Sequence, residues 1–333
     1  MSPTGRPEGE YRSAQHEGSP VSAAATGRER DGPSPGAGRA VVFAFPGDEM
    51  AMQRIAARIG ADAGTLVLRR FPDGEAYVRL DTPVEGCEAV FVCSLDHPNA
   101  KLLPLLFAVD AAKGLGATRV GIVAPYLAYM RQDTRFNRGE AITSATVGKL
   151  VSGVADWLVT VDPHLHRHAS LDAVYSIPSV VVPAAPAISA WIAANVAKPL
   201  LVGPDRESAQ WVAQVAAAAN APYIVLEKSR HGDRDVEVSM PQVDRHRDRT
   251  PVVVDDIVST AHTMIAAVAR LREAGLAAAT CIGVHALFAA NAYEELKAAG
   301  AARIVTCDTV SHASNGIDVN PAIAEAVAGL IGA

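Results

Sequence analysis

The chain has 333 residues, 49% of them hydrophobic and 5% aromatic, and carries a net charge of −6, a length that suits two α/β domains better than one. The charge comes without a block of basic residues, which excludes a broad electrostatic footprint for nucleic acid and leaves room only for local cationic pockets that take phosphate. No run of 18 apolar residues occurs and the N-terminus lacks the apolar core of a signal peptide, so the sequence predicts a soluble cytoplasmic protein with no membrane role. Cys87, Cys93, Cys281 and Cys307 lack metal-type spacing and read as buried thiols of a reducing compartment.

Residues 1–39 are Gly, Pro, Ser, Arg and Glu with almost nothing apolar, which predicts a disordered tail. At Ala40 the pattern changes to short apolar runs alternating with segments of helical period, the signature of βα units and parallel sheets. Strands are predicted at Val41–Phe45, Ala89–Ser94, Arg119–Ala124, Trp157–Val161, Leu200–Val202, Tyr223–Glu227, Pro251–Val254, Thr280–His285 and Arg303–Cys307. A boundary falls near Ile177–Pro186, where Pro178, Pro183 and Pro186 interrupt regular structure, giving domains over 40–180 and 181–314. The segment Ser259–Gly275 puts Met264, Ile265, Val268 and Leu271 on one helical face and stops at a glycine. "LVTVDPH" (Leu158–His164) and "IVTCDTVSH" (Ile304–His312) are faintly alike, as if two similar domains were joined.

Ligands of open parallel sheets bind beyond the carboxyl ends of the strands, so the residues that follow each apolar run matter as a set. After Val254 come Asp255 and Asp256, then Ser259, Thr260 and Thr263 at the mouth of a helix, where amides and hydroxyls can hold a phosphate. The two acids would accept hydrogen bonds from sugar hydroxyls or hold magnesium, unless Asp256 simply caps the helix. In "VDPHLHRH" (Val161–His168) three histidines alternate without the spacing of a zinc site, leaving a stacking or phosphate-contacting histidine open. Arg131, Arg135 and Arg138 bring three guanidinium groups close together, matched to phosphate or merely solvated. Lys228 and Arg230 leave a strand and enter a charged, glycine-containing segment that reads as a mobile loop able to close over polyphosphate. "RFPDGEAYV" (Arg70–Val78) is by itself a turn.

Together these stretches resemble the ribose-phosphate pyrophosphokinase family, in the family's order from about Ala40 to His312. The resemblance implies two phosphoribosyltransferase-like domains, each a parallel sheet flanked by helices, with the active site between them and residues 315–333 packing back on the first. It implies transfer of the pyrophosphoryl group of magnesium-bound ATP to the anomeric hydroxyl of ribose 5-phosphate. By the family's Phe-Ser-Asp-Gly-Glu loop, Phe71, Asp73, Gly74 and Glu75 would contact ATP across a subunit interface, so that the protein would be a homo-oligomer, a dimer or higher. "RQD" makes Arg131 and Gln132 ATP contacts, "TVDPH" makes His164 an ATP and Mg2+ residue, and "GPDRES" makes Asp205 the second metal residue. "EKSR" makes Lys228 and Arg230 catalytic, and "VVVDDIVSTAHT" makes Asp255, Asp256, Ser259, Thr260, Ala261, His262 and Thr263 the ribose 5-phosphate site. The family's Asp-Thr-Gly-Gly-Thr reads here as Ser259-Thr260-Ala261-His262-Thr263, replacing both glycines where backbone approaches phosphate. "DTRFNRGEAIT" looks more like archaeal-type members than the common bacterial hexamers. Two further readings are a catalytically silent regulatory paralogue and a nucleobase phosphoribosyltransferase; retained Lys228, Arg230, His164 and Asp205 argue against the first, and a second domain against the other.

Overall fold

The computed structural model describes residues 39–332 apart from 166, 206–207, 232–234 and 240–242, with backbone alone at 210 and over the described parts of 227–244. The predicted tail therefore lies, but for Arg39, outside the described residues. So does the middle histidine of "HLHRH".

Two parallel sheets carry the fold. The first contains β1 (Ala40–Ala44), β2 (Asp62–Ala63), β5 (Glu88–Val92), β6 (Arg119–Ala124), β7 (Trp157–Val161) and β8 (Ser179–Val182), in the order β2-β1-β5-β6-β7-β8. Between them run α1 (Glu49–Ile59), α2 (Pro98–Gly114) and α3 (Thr143–Ser152), and an antiparallel hairpin of β3 (Leu66–Arg70) and β4 (Ala76–Leu80). The second sheet contains β9 (Pro199–Gly203), β10 (Tyr223–Val225), β13 (Thr250–Val258), β14 (Thr280–Ala286), β15 (Arg303–Cys307) and β16 (Asn315–Ile317), in the order β10-β9-β13-β14-β15-β16. Its helices are α4 (Ala185–Asn195), α5 (Ala209–Ala218), α6 (His262–Glu273) and α7 (Ala292–Ala298), and a second antiparallel hairpin joins β11 (Glu227–His231) to β12 (Asp235–Ser239). The closing helix α8 (Asn320–Ala328) lies against α1, β7 and β8.

The two strand orders are the same pattern written twice. In it β7 and β15 are both fifth, so the faint likeness of Leu158–His164 to Ile304–His312 marks equivalent strands. The inner faces share one core: Val42, Trp157 and Val161 from the first sheet, Leu201, Val254 and Ile282 from the second, and Ile188, Ile323 and Val327 from the helices between them. Strands buried on both faces explain why the predicted runs were continuously apolar rather than alternating. The four cysteines are free and buried, as read from their apolar settings. Among the described residues no helix is long and apolar enough to cross a membrane.

Two readings need correction. The segment holding Lys228 and Arg230 is the strand β11, paired with β12 in the register Lys228 to Val238 and Arg230 to Val236, not a loop. The alternation of "DVEVS" across from it satisfies a strand ladder, which a reading for charge alone overlooks. Also, β13 continues past Val254 to Val258, pairing Asp255 with Gly283 and Ile257 with His285, so the two acids lie inside the strand. The next helix starts at His262 with Ala261 at its N-cap, so Asp256 is not its cap.

Candidate active site

The carboxyl ends of β7, β9 and β13 converge. From β7 the chain passes through Asp162, Pro163 and His164; from β9 it reaches Asp205; β13 supplies Asp255 and Asp256. A cavity of about 440 Å³ is lined by Asp162, His164, Asp205, Trp211, Asp255 and Asp256, among others. A second of about 260 Å³ is lined by Arg131, His164 and the run Asp255–Met264. His164, Asp255 and Asp256 belong to both, so the cavities meet at these three residues. β9 and β13 are the adjacent strands at which the second sheet's order reverses, the crevice where such sheets bind ligands.

One contact ties the sheets together within the site. His164 Nδ1 lies 2.8 Å from Asp256 Oδ2, both side chains three-quarters or more buried. The other Asp256 oxygen accepts the Ile257 amide at 2.8 Å, so the carboxylate is held at both ends. Burial pushes the Asp255 carboxyl well up, and the neighbouring Asp256 and Asp205 push it further. This is an excess of negative charge that a cation or a sugar hydroxyl would relieve. Asp205 Oδ1 accepts the Ser208 amide at 3.2 Å, the geometry of a short turn closed by its own side chain.

The loop from Ser259 to Thr263 opens α6. Ala261 adopts a left-handed φ of 56° and is buried, while His262 and Thr260 are exposed. The replacement of glycine thus leaves the glycine-like backbone in place and adds a methyl to it. The residues that open this helix line the smaller cavity, and a helix N-terminus suits an anion.

Arg131 is the one member of the arginine trio on this cavity; Arg135 instead donates to the Glu140 carbonyl at 2.9 Å. Gln132 lines neither cavity, its carbonyl accepting Ser144 at the head of α3. Phe71, Asp73, Gly74 and Glu75 form the tip of the first hairpin, where Gly74 takes a φ of 95° and the Glu75 amide bonds Asp73 Oδ1 at 3.2 Å. None of the four lines a cavity that holds His164. Phe71 is 41% exposed, with the Arg69 guanidinium 5.2 Å from its ring centre. Lys228 and Arg230 stand in β11, and their side chains lie outside what is described.

Residues that the sequence reading passed over complete the site. Asp162, in a left-handed φ of 32°, gives its carboxylate to the Ala184 amide at 2.9 Å and to Trp211 Nε1 at 3.4 Å. Burial pushes this carboxyl up, against both bonds. Tyr126, beside the site, packs its ring 4.9 Å from that of His285. Trp211 was visible as the lone aromatic of an alanine-rich helix, but its aim toward Asp162 needed the fold.

Two sheets of one strand order, with acids and a phosphate-ready helix mouth at their shared crevice, define a double phosphoribosyltransferase-like enzyme. The sequence narrows this. Residues 40–154 match the family described as the N-terminal domain of ribose phosphate pyrophosphokinase, and residues 172–322 match the phosphoribosyl transferase domain. The chain is 34% identical to the ribose-phosphate pyrophosphokinase of Methanopyrus kandleri over 84% of its own length and 96% of the relative's. It is 33% identical to the enzyme of the same name from Sulfurisphaera tokodaii, over 77% and 89% of the two chains. The phosphoribosylpyrophosphate synthetase structure from Mycobacterium smegmatis shares the fold with a TM-score of 0.77 at 23% identity, covering 88% of this chain and 98% of that one. The chain belongs to the ribose-phosphate pyrophosphokinase family, with archaeal members among its relatives, and is a transferase that makes phosphoribosyl pyrophosphate from ATP and ribose 5-phosphate.

Proposed function

We propose that the two cavities divide the substrates of this reaction, with magnesium-bound ATP in the larger and ribose 5-phosphate in the smaller. The observation that carries this is the His164–Asp256 contact of 2.8 Å, which joins the ATP motif of one sheet to the sugar-phosphate motif of the other. In this reading Ser259, Thr260, Thr263 and the α6 amides hold the 5-phosphate, helped by the exposed His262, while Asp255 and Asp256 accept hydrogen bonds from the ribose hydroxyls. The ATP contacts expected of Arg131 and Gln132 do not follow from this division, since Arg131 lines the smaller cavity and Gln132 neither. The anomeric hydroxyl then attacks the β-phosphorus and AMP leaves, a reaction governed by positioning and charge stabilisation. Lys228 and Arg230, carried on the β11–β12 hairpin, would meet charge on the transferring group.

The donor set fits Mg2+. Asp205, Asp255 and Asp256 offer hard oxygens and share surplus negative charge, with His164 beside them. Bound there, Mg2+ would neutralise the polyphosphate and polarise the group transferred.

Three finer points belong to the same reading. The domains divide near residue 180, with 315–333 returning to the first. The ATP site is shared in a homo-oligomer, since the Phe71–Glu75 tip lines neither cavity and exposes its aromatic ring. The compartment is the cytoplasm, which four buried free thiols favour. Calorimetric titration of two variants tests the division of substrates. His164→Ala should weaken magnesium–ATP about tenfold or more, near 1.4 kcal/mol, with ribose 5-phosphate little changed, and Thr263→Ala should do the reverse. Loss of the same ligand in both would refute it.

A further inference from the structure

The strand order that reverses between β9 and β13 in the second sheet reverses between β1 and β5 in the first, so the molecule has a second crevice of the kind that takes ligands. The ladders match its residues to those of the active site. "LVTVD" and "IVTCD" make Thr160 the counterpart of Thr306, and their ladder partners Ala124 and Gly283 are then equivalent. Gly283 pairs with Asp255, while Ala124 stands beside Cys93, one position past the Val92–Val123 pair. Cys93 and Ser94 therefore hold the places of Asp255 and Asp256, and Val310 holds that of His164. The contact between the sheets survives in altered form: Ser94 donates its hydroxyl to the Thr309 carbonyl where Asp256 meets His164. The acid pair and the histidine of the active site are thus exchanged for groups that suit no hard cation.

The hairpins match as well. β3–β4 and β11–β12 are ladders of five pairs that precede β5 and β13, and Arg69, fourth in β3, holds the place of Arg230 in β11. Beneath the first hairpin, between the end of β1 and α2, lies a cavity of about 210 Å³. Phe45, Leu68 and Tyr77 give it apolar walls and Arg69, Arg70 and Lys101 line it, with no acid among its lining residues. Lys101 pairs with Asp96 and donates to the Ser94 carbonyl at 2.9 Å, so its charge is already met. The Arg69 guanidinium lies 4.1 Å from the Tyr77 ring centre and Arg70 is exposed; among the described residues neither has an ion pair. Two guanidinium forks without a carboxylate, beside an apolar pocket, match a phosphate that brings an apolar body.

We propose that this crevice binds a small organic phosphate without a metal, its phosphoryl group on Arg69 and Arg70 and an aromatic or aliphatic group against Phe45, Leu68 and Tyr77. The volume is close to the 260 Å³ of the cavity assigned to ribose 5-phosphate, which sets the size of the ligand. The walls offer ribose hydroxyls no carboxylate, so a sugar phosphate is the wrong occupant. Duplication thus left a cationic hairpin over each crevice and kept the acids at only one.

Phenyl phosphate is the probe, titrated calorimetrically into the full chain with EDTA and with saturating ribose 5-phosphate, which keeps the probe from the Ser259–Thr263 loop. It should bind once per chain, and inorganic phosphate at least about tenfold more weakly, since that leaves the apolar walls bare. Arg70→Gln should weaken phenyl phosphate at least about tenfold, and Ala100→Glu, which sets an acid on the cavity, should abolish its binding. Both positions are exposed, so the fold tolerates both changes. No saturable binding, equal affinity for inorganic phosphate, or native affinity in either variant would overturn the proposal. So would binding that appears only when Mg2+ replaces EDTA. Displacement by Mg2+ and the α,β-methylene analogue of ATP, which cannot transfer its pyrophosphoryl group, would also overturn it by making the cavity part of a partner's ATP site. Should ribose 5-phosphate fail to occupy its loop, the two variants still decide where the probe sits.

Discussion

Ala261 keeps a φ of 56° that alanine tolerates poorly, in the loop where family members carry glycine. Relief of about 1–2 kcal/mol of left-handed strain outweighs the roughly 0.4–1 kcal/mol of added chain entropy that glycine brings. Ala261→Gly should therefore stabilise the protein by up to about 1 kcal/mol, measured by denaturant unfolding. Destabilisation by more than that would mean the buried methyl matters more to packing than its backbone costs. Asp48 poses a second residue-scale test. Its carboxylate accepts the Ser94 amide at 2.9 Å, and burial pushes its pKa up to about 7 from 3.8. The folded chain keeps this proton to a higher pH than the unfolded chain, so stability falls as pH rises from about 4 through 7. His285, depressed from 6.5 to about 4, acts in the opposite sense, losing stability as pH falls through that window. Only the difference between variant and native isolates Asp48. Asp48→Asn, whose amide oxygen still accepts from Ser94, should gain on the order of 3 kcal/mol at pH 8 and almost nothing at pH 4. An equal effect at both values would contradict the assignment. Residue types at strand ends were legible in the sequence. The pairing of His164 with Asp256, 92 positions apart, was not, because no local pattern encodes which strand end faces which.

At the scale of elements, the nine apolar runs became strands, most of them buried on both faces, which demands continuous hydrophobicity, while β10 lies at a sheet edge with Tyr223 exposed. The two antiparallel hairpins escaped the same reading. β3 is only partly buried and ends in Arg69 and Arg70, and β11 reads Glu-Lys-Ser-Arg-His, so each looks like a polar loop. A hairpin can carry cations to a site more reproducibly than a loop, since its ladder fixes their spacing. On this ground Lys228→Ala should lower kcat by at least ~10²-fold, the scale for one preorganised charge donor, while the dissociation constants of both substrates change less than about fivefold. Lys228→Arg should rescue only in part, since a planar fork places charge differently from a compact ammonium. ATP binding weakened a hundredfold with kcat intact would make the hairpin a binding clamp.

Across the whole molecule, one strand order written twice gives two crevices, and the chemistry was assembled at one of them. The second sheet keeps acids and a phosphate loop at its reversal point, while the first contributes His164 and Arg131 from its far strands. α8 closes the arrangement: Glu325 pairs with Arg58 of α1 at 3.0 Å, and beyond the helix Arg119 donates to the Leu330 carbonyl at 2.9 Å. Glu88, buried beside Arg119, accepts from Trp157 at 2.7 Å and from the Gly332 amide at 3.1 Å. The duplication was faintly visible in two short strings, but not the facing of the sheets, which depends on alanine-rich helices such as α4 and α5 whose sequences do not say which sheet they cover. The account stands on both halves of the crevice acting in one reaction, and its most direct test is a product assay. The purified protein, given Mg2+, ATP and ribose 5-phosphate, should release AMP and phosphoribosyl pyrophosphate in equal amounts, with no AMP when the sugar phosphate is left out; ADP in place of AMP, or no turnover of ATP at all, would contradict it.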